Sequence, residues 1–143
     1  MVYADTGFLL SLYLPETTTA AASTAVRRLR APLPLTSLTR LELRNGLRLA
    51  VFRGVLREEQ RAQCWVQVEE DVASGVYAPV EAPRPDLYGK ATLLVDAHGA
   101  RLGTRTLDVL HVAAAVVLGA TTFLSFDRRQ RALAQAARMK VVP

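Results

Sequence analysis

The chain has 143 residues, half of them apolar and 22% charged, with a formal net charge of +5 and a pI near 10.0. That is enough length and hydrophobicity for one domain with a real core, and it excludes a disordered or low-complexity chain. Cys64 is the only cysteine, which excludes an internal disulfide framework. No apolar run approaches the roughly 20 residues that span a bilayer. The N-terminus lacks the basic region of a signal peptide, so a cytoplasmic protein is expected. Apart from Lys90 and Lys140 every basic residue is an arginine, the side chain suited to two-pronged phosphate contacts. A polyanionic partner fits this excess, and so does a plain solvated surface.

In chain order, Met1-Val-Tyr-Ala reads as a short buried strand that meets a carboxylate, Asp5. The turn Thr6-Gly7 and the apolar run Phe8–Leu14 follow, so Asp5 stands at the carboxyl end of a strand, where open α/β sheets bind ligands. Asp5 or Thr6 also suits capping of the next helix. Residues Glu16–Arg30 carry Ala22, Ala25, Val26 and Leu29 at helical spacing, and Ala31-Pro-Leu-Pro34 ends that helix. Leu35-Thr36 reads as a second strand, and Ser37 as the N-cap of a helix over Leu38–Phe52. Gly54 closes it. A further helix spans Arg57–Ser74, and Val76–Val80 is a third strand, which Pro79 places at an edge. Pro85 opens a helix running to about Gly99. Thr106–Leu118 is apolar almost all round and should be a buried helix. Thr121–Ser125 is a fourth strand, Asp127–Arg138 a last helix and Met139–Val142 a fifth strand. Strands alternating with helices predict a parallel sheet covered on both faces, in a single domain over residues 1–143.

Four acids occupy places that solvation does not explain. Asp5 and Asp127 both end strands and begin helices. On the helix from Leu38, at about 100° per residue, Leu41, Glu42, Asn45, Leu49 and Phe52 fall within about 60° of Leu38. Glu42 is therefore expected on the core face, while Leu43 and Leu47 lie off it and either offer a second apolar surface to a partner or pack against the next helix. Arg40, Arg44 and Arg48 form a separate stripe. A core carboxylate is costly unless paired, for instance with an arginine, or bound to metal. Asp108 is the only acid in the apolar helix from Thr106. Were the four to converge, each like-charge pair at about 4 Å would cost on the order of 4 kcal/mol at an effective dielectric of 20, which cations or protons would relieve. Oxygen donors without Cys or His suit Mg²⁺ or Mn²⁺. His111, one turn after Asp108, and His98 both read as satisfied core residues.

The motifs VYADTGFLLSLYL, SLTRLELRNGL, RTLDVLHVAAAVVLGA and FLSFDRR, in this order and spacing, closely resemble those of PIN-domain ribonucleases, above all the VapC-type toxins of type II toxin–antitoxin pairs. The resemblance covers essentially the whole chain. It implies a three-layer α/β/α fold with a five-stranded parallel sheet of order 3-2-1-4-5, which would set Asp5 and Asp127 side by side. It also implies that Asp5, Glu42, Asp108 and Asp127 hold one or two Mg²⁺ or Mn²⁺ ions. Thr6, Asn45 and Ser125 would support these acids or orient substrate. Gly7 and Ser125 depart from the serine and threonine that the family often has there.

The implied function is a metal-dependent endoribonuclease acting through activated water. Its RNA backbone would be held by arginines, with Arg105, just before Asp108, the first candidate. The implied partners are RNA, a cognate antitoxin and a second copy in a homodimer, with no membrane. The competing reading is a PIN-like module that binds RNA or a partner without cutting. The paired acids of a phosphorelay receiver, the long insertions of structure-specific DNA nucleases, and the glycine motifs of nucleotide binding are not found.

Overall fold

The computed structural model describes all 143 residues. Five short strands alternate with seven helices: β1 (Val2–Ala4), α1 (Thr6–Leu10), α2 (Thr19–Arg27), β2 (Leu33–Leu35), α3 (Ser37–Phe52), α4 (Glu58–Ala73), β3 (Tyr77–Pro79), α5 (Arg84–Leu102), α6 (Thr106–Val117), β4 (Thr122–Leu124), α7 (Arg128–Ala136) and β5 (Lys140–Val142). All pairing is parallel, as the alternation predicts.

The strands do not form the single five-stranded sheet of order 3-2-1-4-5. They form a three-stranded sheet, β1-β4-β5, and a two-stranded sheet, β2-β3. The two sheets abut at β1 and β2 without a hydrogen-bonded ladder. Pro34 supplies the physical reason. Leu33 N donates to Val76 O and Val80 N donates to Leu35 O, so residues 33 and 35 turn their polar groups to β3. Alternation then turns Pro34 toward β1, and proline has no N–H to offer. Pro79 sits in β3, which has a partner on one side only, the edge position expected of it.

Successive side chains of a strand face opposite ways, and this sets the layers. Tyr3 and Phe123 pack with Leu94, Val109, Val112 and Leu133 of α5, α6 and α7. Ala4 and Leu124 pack with Phe8, Leu9, Ala22 and Leu43 of α1, α2 and α3. Each large apolar side chain so buried contributes roughly 1.5–3 kcal/mol. Helix α6 is the central buried helix its composition predicts, with Val109 and Val112 through Ala115 all buried.

Helix α3 is turned the other way from the expectation. Thr39, Leu43, Leu47 and Ala50 face the core, whereas Leu41 is 66% and Phe52 87% exposed. Leu43 and Leu47 are thus core residues and not a second surface. The helix starts one residue early, because its cap is Thr36, whose hydroxyl accepts from Thr39 N at 3.1 Å, and not Ser37. Helix α5 continues past Gly99 to Leu102 and ends on Gly103, whose φ of 61° suits a residue without Cβ and turns the chain into α6. No helix is long and apolar enough to cross a membrane.

Candidate active site

The backbone of Asp5 prolongs β1 by donating to Leu124 O at 3.0 Å. Its side chain then caps α1: Oδ1 accepts from Phe8 N at 2.6 Å, while Oδ2 accepts from the Ser125 hydroxyl at 2.5 Å. Capping and strand-end placement are therefore both true of this residue. It is only 1% exposed. Burial pushes its carboxyl above the usual aspartate range and the charge of Asp127 adds to this; bonds from Ser125 and Phe8 and the charge of His111 offset part of it.

Asp127 sits at the matching place after β4 and is exposed. Its Oδ1 caps α7, accepting from Arg129 N at 2.8 Å and Gln130 N at 2.9 Å. Its own N–H donates to Ser125 Oγ at 3.0 Å, so Ser125 bridges Asp5 and Asp127 across the ends of neighbouring strands. Asp108 lies in the first turn of α6, where Oδ2 accepts from Arg105 N at 2.9 Å and Oδ1 from Gln130 Nε2 at 3.2 Å. Gln130 was not singled out by its sequence context. It ties Asp108 to Asp127 through its side chain and backbone, and its buried Oε1 has no hydrogen-bond partner.

Glu42 is half-buried and pairs with a histidine, not an arginine. Its Oε2 accepts from Thr6 Oγ1 at 2.8 Å and from His111 Nε2 at 2.5 Å. Burial pushes its carboxyl up, but the hydrogen bond and charge of His111 and the Thr6 hydroxyl outweigh this and hold it below the usual range. Arg40 is committed elsewhere, to Glu69 at 2.6 Å, and Arg44 lies over the Trp65 ring at 4.7 Å. His111 is buried and satisfied, as its setting predicts, yet its partner is one of the four acids. Its Nδ1 meets the Tyr3 hydroxyl at 3.1 Å. Asn45 is exposed and forms no side-chain hydrogen bond, and Arg105 is exposed with its backbone engaged, N–H to Asp108 and carbonyl from Val109 N, but its guanidinium free.

Hydrogen bonds thus join Asp5, Ser125, Asp127, Gln130 and Asp108 in one run, and Thr6 and His111 carry Glu42 to the same end of the fold. The acids are linked without forming a closed cage: no three His, Cys, Asp or Glu side chains stand together so as to hold an ion. The donor chemistry nevertheless suits a hard divalent cation. All four donors are carboxylates, and Glu42 Oε1 and Asp127 Oδ2 accept no protein hydrogen bond. Gly7 leaves space beside the first of them, since a Cβ there would stand 3.6 Å from Asp5 Oδ1.

The PIN-domain family model matches residues 2–136, and the chain belongs to the PIN-domain family. Solved structures share the fold. VapC20 of Mycobacterium tuberculosis, described as a sarcin–ricin loop-cleaving toxin, superposes with a TM-score of 0.70 at 16% identity, covering 100% of both chains. FitAcB from Neisseria gonorrhoeae gives 0.66 at 18% identity, covering 100% of this chain and 97% of that one. VapBC2 from Rickettsia felis, crystallised with a DNA fragment from its promoter, gives 0.66 at 11% identity, covering 99% and 97%. No curated protein matches the chain in sequence.

Proposed function

We propose that this PIN domain is an Mg²⁺- or Mn²⁺-dependent endoribonuclease and the toxin of a toxin–antitoxin pair. The observation that carries the reading is Asp5: a carboxylate buried at the carboxyl end of β1, its proton affinity raised, in the field of Asp127 from the adjacent strand end. Folding places charge there at a cost, and such placement is characteristic of sites that bind cations or move protons. When bound, a divalent ion neutralises this charge and activates water toward a phosphodiester.

The chain's own residues have separable parts in this proposal. Asp5, Glu42, Asp108 and Asp127 are the ligand set. Ser125 and Gln130 hold three of the four in place, while Thr6 and His111 hold the other. Arg105 at the mouth of α6 and Asn45 on the exposed side of α3 are the groups for RNA. A cognate antitoxin and a second copy of the chain are the proposed partners, in line with the toxin and VapBC names of the structural neighbours. The exposed Leu41 and Phe52 of α3, in place of Leu43 and Leu47, are the apolar side chains available for such contacts.

The test is cleavage of RNA by the wild type and by Asp5→Asn with Mn²⁺ present, with cleavage expected from the wild type alone. Equal cleavage by both would remove Asp5 from the mechanism. The second reading, a silent PIN-like binding module, is favoured by one observation, the absence of three acids already gathered. Calorimetric titration with Mn²⁺ separates the two, because the silent module predicts no heat of binding by the folded protein.

A further inference from the structure

The geometry points to His111 as a positioning residue: its Nε2–H grips one oxygen of Glu42 and leaves the other free to face a cation, while the Tyr3 hydroxyl at Nδ1 holds the ring in place. The inference rests on the metal-dependent reading of the site and assigns a part to two residues that bind neither substrate nor ion.

An ionised carboxylate only accepts, so the 2.5 Å contact at Glu42 Oε2 requires the proton to sit on His111 Nε2. At the other ring nitrogen, Nδ1, the Tyr3 hydroxyl stands at 3.1 Å, and Thr6 Oγ1 lies 3.2 Å from Nε2, so the ring is held from both sides. Tyr3 O in turn lies 3.3 Å from Thr39 Oγ1, which lies 2.9 Å from Thr36 Oγ1. A continuous run of polar contacts thus joins Thr36, Thr39, Tyr3, His111 and Glu42. The run begins at the cap of α3, crosses β1 and α6, and returns to α3 about one turn beyond Thr39.

Its burial argues against a surface accident. Tyr3 and Thr39 are fully buried, and Thr36 and His111 nearly so. Glu42 alone reaches the edge, with 23% of its side chain exposed and Oε1 unbonded. A buried polar network is costly unless each member is satisfied, and when satisfied it specifies one arrangement. Here the arrangement specified is the rotamer of Glu42. A glutamate has three side-chain torsions, and holding them before the ion arrives removes an ordering cost from binding.

Two measurements test this. In metal-free protein labelled with ¹⁵N-histidine, with His98→Gln to leave one ring, long-range ¹⁵N–¹H spectra should show a downfield proton on His111 Nε2. Glu42→Gln should shift that proton. An Nε2 without a proton, or a proton indifferent to Glu42→Gln, overturns the assignment. Mn²⁺ affinity read by electron paramagnetic resonance supplies the consequence. His111→Gln carries an amide N–H near the position of Nε2 and should bind within about threefold of wild type, whereas His111→Asn places its amide near Nδ1, beside Tyr3, and should lose about tenfold or more. In a Glu42→Ala background His111→Asn should cost nothing further. If folded His111→Asn binds Mn²⁺ as wild type does, the positioning role falls and the nuclease reading stands. If wild type binds no Mn²⁺, the metal-dependent reading falls and the role with it.

Discussion

Ser125 and Asp5, 120 residues apart in sequence, meet in a 2.5 Å hydrogen bond from hydroxyl to carboxylate at the ends of two adjacent strands. The serine hydroxyl also accepts from Asp127 N, so its one side chain serves two of the four acids. Ser125→Ala leaves a buried carboxylate oxygen and a backbone N–H without partners. The expected cost is about 1–3 kcal/mol at neutral pH, read from urea midpoints. Ser125→Thr keeps the hydroxyl and should recover the greater part. An alanine variant as stable as wild type would mean that water replaces the hydroxyl without loss.

The carboxyl of Asp5 is raised above its ordinary 3.8, so between that value and its folded value the native state holds more protons than the unfolded chain. Stability contributed by this group is therefore highest at low pH and falls as pH rises through that window. Asp5→Asn removes the dependence while keeping an acceptor for Phe8 N. The variant should melt higher than wild type at neutral pH, by about 3–5 °C for each kcal/mol released, and the gap should close as pH falls toward 3.8. Glu42 works in the opposite direction: its lowered carboxyl contributes stability above 4.5 that is lost as pH falls through its folded value. That contribution is common to both proteins and drops out of the difference. A gap that stays constant with pH would contradict the burial of charge at Asp5.

Helix α3 separates two kinds of leucine. Leu43→Ala and Leu47→Ala empty fully packed positions and should each cost about 2–5 kcal/mol. Leu41→Ala and Phe52→Ser act on side chains 66% and 87% exposed and should stay within about 0.5 kcal/mol of wild type. Chemical denaturation of the four variants decides it. Equal losses in both pairs would place the core face midway between them.

The same helix shows where a single sequence can be read and where it cannot. The helix itself is plain from its spacing, but apolar residues run along two of its sides, 38-41-49-52 and 43-47-50, and periodicity alone does not say which side meets the core. The deciding residue is Thr39, a buried threonine bonded to the helix cap, which no hydropathy pattern marks as interior. Asp5 and Asp127 were legible because each breaks an apolar strand at its end. Asp108 stood out as the lone acid of a buried helix. Glu42 was expected on the core face with Leu41 and Phe52, a face the structure leaves exposed. It sits half-buried at the flank of the true core face because it pairs with His111, 69 residues away, and spacing along one helix says nothing of a contact between two. Gln130 shows the same limit, as an ordinary polar residue in a polar helix until the fold sets it between two acids. The interrupted sheet was written in Pro34, yet a missing N–H matters only once the side of the strand that lacks it is known.

Arg105 tests whether the mouth of α6 handles nucleic acid. Its backbone N–H is spent on Asp108 Oδ2, but its guanidinium is exposed and makes no ion pair or hydrogen bond within the chain. Folding therefore has no use for the charge, and Arg105→Ala should leave the melting temperature unchanged. If the charge neutralises a phosphate, its removal releases one fewer counterion on binding. The slope of log affinity against log salt for single-stranded RNA should then shrink by about 0.7. The measurement is fluorescence anisotropy over a salt series, in an Asp5→Asn background so that the RNA stays whole. A loss of affinity that is the same at every salt concentration would point to altered geometry at Asp108 instead of a lost phosphate contact. Unchanged affinity and unchanged slope together would place the RNA on another face.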